Sequence, residues 1–182
     1  MKDITFEDIE MDTTAKYSAL VVGYLEGIGT FSNVNIKNSS IKSASPSGTG
    51  GFVGYINNST KINGEKVATT LIITGCTLDG VTVESARSAG LVGRIQADAV
   101  FNQTDVPEGK WSATIANNVV INSTFKCTAA AAAPFPAHWA TNYPSASIGN
   151  VLDSANKVSK NKYLFNEVEY TYADGTYAEA KA

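Results

Sequence analysis

The stretches "GGFVGYI" at residues 50–56 and "AGLVGRI" at 89–95 are two copies of one phrase. A third copy, "LVVGYL", ends at Leu25, and a more distant fourth, "ASIGNV", ends at Val151. The phrase places a glycine at Gly23, Gly54, Gly93 and Gly149, directly after Val22, Val53, Val92 and Ile148. Apolar residues alternate along it at period two, the pattern of a strand with one buried face. A glycine inside such a strand marks a bend or a close approach of neighbouring backbone.

Each phrase closes a longer unit. Aligning "FEDIEMDTT" from Phe6, "FSNVNIKNS" from Phe31, "ITGCTLDGV" from Ile73, "IANNVVINS" from Ile115 and "YLFNEVEYT" from Tyr163 puts a large apolar residue first each time. The sixth position is then Met11, Ile36, Leu78, Val120 and Val168, all apolar. Third-position residues Asp8, Asn33, Gly75 and Asn117 tolerate left-handed backbone, as do Asn38, Gly80 and Asn122 at the eighth, so both positions read as corners. First positions lie 25, 42, 42 and 48 residues apart, too far for a hairpin meander but natural for stacked coils with loops of unequal length.

A unit of short strands and corners cannot bury its apolar side alone and must stack on its neighbours. The expectation is an all-β chain folded as a parallel β-solenoid, right-handed and β-helix-like. About five coils form a single domain with a C-terminal hairpin cap. The units fall near 6–27, 31–59, 71–99, 113–157 and 161–182. An antiparallel β-sandwich also uses short strands and turns, but gives no reason for a two-part unit to recur. The cap is read from "VEYTYADGTYAEAKA", where Val168, Tyr170 and Tyr172 alternate before an Asp174-Gly175 turn and the chain returns through Tyr177.

The recurring "GLVG", "FVG" and "VVG", each after strand–corner–strand units such as "FSNVNIKNSSI", resemble the GLUG-type repeats of bacterial cell-surface and secreted proteins. The resemblance spans about residues 6–170; the fourth copy departs from it with "SIG", and the fifth lacks the phrase. It implies a β-helix-like array on a bacterial exterior, in stalks, adhesins or the non-catalytic parts of larger secreted enzymes. It implies no catalytic residue.

Composition narrows the function classes. At 43% apolar residues the chain can fill a continuous core, and a net charge of −3 without a Lys/Arg cluster argues against nucleic-acid binding. No apolar run is long enough to span a bilayer, and the acidic turn of "MKDITFEDIE" is unlike a signal peptide. Met1 then either starts a cytoplasmic protein or was added to a trimmed mature fragment. Because Phe6 opens the first coil with almost no chain before it, a flanking domain or earlier coils of a longer surface protein are expected. Cys76 sits where Ile9 and Val34 stand in other units and reads as a small buried hydrophobe; with Cys127 too far along the unit to pair, two free thiols are expected.

The leading expectation is a non-enzymatic scaffold or adhesin-like recognition module for glycan or protein, extracellular or at the cell surface, with no cofactor and no metal. The alternative is a polysaccharide-cleaving β-helix enzyme or its accessory domain, drawing on Glu10, Asp12, Lys37, Asp79, Glu167 and Glu169. Asp12, Lys37 and Asp79 align in one outward column, which a solvated charge ladder of alternating sign explains equally well. The candidate ligand-binding residues are aromatic: Phe135, His138, Trp139 and Tyr143 within the proline-stiffened insertion 128–145, and Trp111 in the preceding connection. Rigid rings of this kind either stack on a ligand or fold back to bury against the coils.

Overall fold

The computed structural model describes residues 1–44, 47–87, 90–96, 98–128, 146–173 and 176–179. Apart from one helix, Ala146–Ala155, the regular structure among them is all β. It comprises an eight-stranded sheet, a seven-stranded sheet, the three-stranded glycine sheet (Val22–Leu25, Val53–Ile56, Val92–Ile95) and two strand pairs.

Strands that join one repeat to the next pair in parallel, which sets the antiparallel sandwich aside. In the eight-stranded sheet Ile28–Lys37 lies against Thr70–Thr74 and Thr77–Asp79, and these lie against Trp111–Ala116 and Val119–Ile121. In the seven-stranded sheet Glu10–Thr13, Ser40–Ser43, Thr82–Ser85, Thr124–Cys127 and Lys162–Phe165 follow one another. Equivalent residues of successive repeats therefore form columns. Phe31, Ile73 and Ile115 make one; Phe6, Ile36, Leu78, Val120 and Val158 a second; Met11, Ile41, Val83, Phe125 and Tyr163 a third. Most of these side chains are completely buried and belong to a single continuous core.

The columns correct the alignment at both ends. Phe6 stands opposite Ile36, not Phe31, and Tyr163 opposite Phe125, not Ile115. Each error is a slip of five residues or a multiple of five, and the cause is physical. Inward residues recur at steps of five (Phe31, Ile36, Ile41; Ile73, Leu78, Val83), so such a slip returns an apolar residue to every apolar column. The corners share the spacing. Asn33, Gly75 and Asn117 at one corner, and Asn38, Gly80 and Asn122 at the next, all have positive φ between 46° and 66°. Asp3 and Asp8, at φ 54° and 57°, complete those two corners in the first repeat.

Buried corners leave backbone N–H groups pointing along the stack, and side chains of the next repeat accept them. The Cys76 N–H donates to Asn118 Oδ1 at 2.9 Å, and the Asn118 N–H to Asn156 Oδ1 at 3.0 Å. At the second corner the Ile9 N–H donates to Ser39 Oγ, the Val81 N–H to Ser123 Oγ, and the Ser123 N–H to Asn161 Oδ1. Two of these pairs, Cys76–Asn118 and Val81–Ser123, are 42 residues apart in sequence.

The glycine sheet confirms three copies of the opening phrase and corrects the fourth. Val22, Val53 and Val92 are in register, as are Leu25, Ile56 and Ile95. Gly149, by contrast, lies in the helix. Ser147 stands where Phe52 and Leu91 fill the core in the second and third copies, so a strand there has no large inward residue to bury. The helical alternative packs on Trp111–Ala116 and Ala99–Phe101 and buries Leu152, 1% exposed, in the core. Asn156 closes its C-terminal end by donating to the Leu152 carbonyl at 2.6 Å.

The terminal hairpin forms. Lys162–Phe165, Val168–Ala173 and Thr176–Glu179 run antiparallel, with Tyr172 opposite Tyr177. Tyr172 packs against Tyr163 at 5.8 Å between ring centroids and its hydroxyl donates to Asp153 Oδ2, while Tyr170 packs on Phe165 at 6.5 Å. Cys76 and Cys127 are free and buried.

Candidate functional site

Glycine decides what the third sheet can carry. A Cβ on Gly54 would lie 2.3 Å from the Tyr17 carbonyl oxygen and 2.6 Å from that of Gly23; one on Gly93 would lie 2.6 Å from the Gly54 carbonyl oxygen. Real side chains do not fit there, so the three strands stack with their backbones in direct contact. The residue after each glycine is thereby brought into one column: Tyr24, Tyr55 and Arg94.

Tyr17, held at φ 57° just before the first copy, joins this column. Its ring stacks on Tyr55 with centroids 4.4 Å apart, and Tyr24 stacks on Tyr55 at 5.3 Å. The Arg94 guanidinium lies on the Tyr55 ring, 5.4 Å from its centroid, a cation–π contact. Tyr55 is sandwiched and only 8% exposed, whereas Tyr24 is 46% exposed. Burial raises the Tyr55 hydroxyl above its ordinary pKa, opposed by the Arg94 charge. Desolvation beside the stack, followed by the Glu26 carboxylate, raises that of Tyr24.

A polar column runs alongside. Glu26, Asn57 and Gln96 each lie two residues beyond Tyr24, Tyr55 and Arg94. The Tyr55 hydroxyl donates to Gln96 Oε1 at 2.9 Å. Glu26 accepts from Thr60 Oγ1 at 3.1 Å and, more distantly, from Tyr24 and Asn57. Beyond Glu26 an open groove of about 520 Å³ is lined by Glu26, Asn57, Ser59, Thr60, Lys61 and Lys66. Its outer wall is the hairpin Ser59–Ile62/Glu65–Ala68, turned by Asn63 and Gly64, both at positive φ. Rings, hydroxyls, an amide and a carboxylate on rigid strands can stack on an apolar face while exchanging hydrogen bonds at its edge.

The residues expected from the sequence fall elsewhere. Trp111 opens the strand Trp111–Ala116 and is 1% exposed, a core residue and not a surface ring. Phe135, His138, Trp139 and Tyr143 lie outside the described residues. Asp12 is not in the column of Lys37 and Asp79: it stands opposite Lys42, while Lys37 and Asp79 face each other and Asn122 donates to Asp79 at 2.8 Å. The Asp12 column continues through Glu84 to Lys126, and Glu84, which no pattern in the sequence singles out, is its centre. Lys126 Nζ lies 3.2 Å from Glu84 and 3.3 Å from Glu167, and Lys42 lies 3.9 Å from Glu84. The Glu84 hydrogen bond, partly offset by desolvation, holds the Lys126 pKa above its usual value.

The tyrosine column is not among the residues expected from the sequence, because the constant part of the phrase is its buried part. Its signal is the position that varies, "VGYL", "VGYI", "VGRI", since in a stacked register the variable residue after an invariant glycine is the one facing outward. Among the described residues no group of three or more His, Cys, Asp or Glu could hold a metal ion, and no helix is long and apolar enough to cross a membrane. Comparison with protein-family models, with curated proteins and with solved structures finds no match.

Proposed function

We propose that the chain is a parallel β-solenoid of the GLUG-repeat kind, a module of a secreted or surface-exposed bacterial protein that recognises a glycan without cleaving it. The parallel 42-residue register and the column of contacting glycines support the architecture. The observation that carries the function is the stack of Tyr17, Tyr24 and Tyr55, with Tyr24 half exposed at its end and hydrogen-bonding groups along one side. Two-χ aromatic side chains fixed by stacking lose little entropy on binding, and the C–H face of a sugar ring is the apolar surface they suit. On the seven-stranded sheet and the turn beside it, Lys42, Glu84, Lys126 and Glu167 are engaged with one another as a ladder, which supports a scaffold over a hydrolytic centre.

Affinity electrophoresis through gels containing neutral or acidic polysaccharides tests this reading. Retardation of the wild-type chain by at least one polysaccharide, lost in Tyr24→Ala at unchanged thermal stability, is the expected result. Absence of retardation in every gel, or retardation that Tyr24→Ala leaves intact, removes the tyrosine stack as a glycan site. Reducing ends or unsaturated products that appear with wild type and vanish with Asp79→Ala would put the enzymatic reading in its place.

A further inference from the structure

The connection from the glycine sheet to the next repeat differs between the first two copies. Glu26 and Gly27 alone join Val22–Leu25 to Ile28–Lys37, whereas the equivalent span from Ile56 to Thr70 carries the hairpin Ser59–Ile62/Glu65–Ala68. The two hairpin strands pair only with each other, and the Thr69 N–H closes their base by donating to the Asn58 carbonyl at 2.9 Å. The hairpin therefore adds no strand to the stacked sheets. What it contributes is a wall of the groove that Glu26 and Asn57 line from the other side.

That wall breaks the charge pattern of the other sheets. Where two charged residues stand opposite each other there, their signs are opposed: Glu7 with Lys37, Lys37 with Asp79, Asp12 with Lys42, and Glu84 with both Lys42 and Lys126. In the hairpin, Lys61 stands opposite Lys66. Cβ atoms of such a pair are about 4.5–5.5 Å apart, and like charges there are destabilising. Neither lysine makes an ion pair or a side-chain hydrogen bond with any described residue. Glu65, next to Lys66, alternates to the other face of the hairpin, opposite Ile62. The Glu26 carboxylate is engaged by Thr60, Tyr24 and Asn57. Both lysines line the groove, so an anion entering it meets two ammonium groups whose mutual repulsion it relieves.

We propose that Lys61 and Lys66 together hold the carboxylate or sulfate group of an acidic oligosaccharide, one sugar of which stacks on Tyr24. The inference rests on the glycan reading above and narrows its ligand to the acidic glycans. Glu26 joins the two halves of the site, since it lines the groove and accepts from the Tyr24 hydroxyl. Its carboxylate repels an anion and accepts sugar hydroxyls, so the acidic substituent belongs on the lysine side and the hydroxyls on the Glu26 side. The groove, about 520 Å³, lies within the range of roughly 300–1,000 Å³ usual for small-ligand sites.

The test is titration calorimetry of the wild-type chain, Lys61→Gln/Lys66→Gln, Lys66→Glu and Tyr24→Ala. The probes are oligogalacturonate, a heparin oligosaccharide and carboxyl-reduced oligogalacturonate. Wild type should bind at least one acidic oligosaccharide, and oligogalacturonate about tenfold or more tighter than its carboxyl-reduced form. The double glutamine variant should bring that ratio close to one, and Lys66→Glu should invert it. Raising sodium chloride from about 0.1 M to about 1 M, which shortens the screening length from about 10 Å to about 3 Å, should weaken acidic binding to wild type far more than to the double variant. Because both substitutions remove a like-charge pair, the melting temperature without ligand should be unchanged or higher, so lost affinity reports the site and not misfolding. Acidic binding that needs the lysines but is indifferent to Tyr24→Ala would uphold the lysine site and sink the tyrosine stack as a glycan platform. Tyr24-dependent binding of the carboxyl-reduced oligosaccharide as tight as that of its acidic parent would do the reverse. No binding of either acidic oligosaccharide, or binding indifferent to both lysines, would overturn the proposal.

Discussion

Asn118 and Cys76 occupy the same corner in adjacent repeats, and the Asn118 carboxamide takes up what Cys76 leaves open. Its Oδ1 accepts the Cys76 N–H at 2.9 Å, and its Nδ2 donates to the Ile73 carbonyl at 2.9 Å and to Asn156 Oδ1 at 2.8 Å. The side chain is 0% exposed, so no water substitutes for it. An apolar residue of similar volume cannot do the same work even though Val34 fills this column two repeats earlier. Asn118→Leu should lower the unfolding free energy by about 2–4 kcal/mol, the cost of stranding buried backbone groups, measured by urea denaturation. A loss below about half a kcal/mol would show that the ladder is incidental.

The glycine column gives a sharper contrast. Gly54→Ala puts a methyl group 2.3 Å from a backbone oxygen that cannot move without separating two repeats. The expected cost is about 2–3 kcal/mol or more, with soluble yield falling accordingly. A Cβ on Gly64 would meet nothing within 4 Å, but the residue lies at φ 87°, so Gly64→Ala should cost only about 1 kcal/mol of backbone strain. Equal costs at the two positions would contradict the account of close backbone approach.

Trp111→Ala empties one of the largest fully buried volumes in the core and should lower unfolding free energy by about 3–5 kcal/mol. Stability near that of wild type would mean that the indole is not packed as described.

Alkaline pH should destabilise the fold. Burial pushes the Cys127 thiol up to about 12, and raises Cys76 and Tyr163 as well. These groups stay protonated in the folded chain while the unfolded chain ionises near ordinary thiol and phenol values, so the unfolded state binds fewer protons and stability falls as pH rises. The contribution of Cys127 is complete below about pH 8.5 and is lost progressively towards pH 12, at no more than about 1.4 kcal/mol per pH unit. Urea midpoints of wild type and Cys127→Ala at about pH 7.5 and 10.5, on either side of the ordinary thiol value, check this: the variant starts lower and should lose less between the two. A larger alkaline loss in the variant would contradict the sign.

The composition and the repeats were enough to read the all-β class, the corners at Asn33, Gly75, Asn117, Asn38, Gly80 and Asn122, three strands of the glycine sheet and the terminal hairpin. These follow from local physics: left-handed φ needs Asn or Gly, a half-buried strand alternates, and Asp-Gly turns a hairpin. Register at the two ends was not readable, because an apolar residue every fifth position makes a five-residue slip invisible to pattern. Only the alignment of Asp3 with the Asn33 corner, and of the last strands with their cap, breaks that degeneracy. Helix 146–155 was unreadable for the same kind of reason, since "ASIGNV" satisfies the strand pattern until the core is seen to need a large residue at position 147. The candidate site depends on tertiary structure most of all. Tyr17, Tyr24, Tyr55 and Arg94 are scattered along the sequence; parallel stacking, by bringing each repeat's variable residue into one column about 4.8 Å from the next, gathers them into one face.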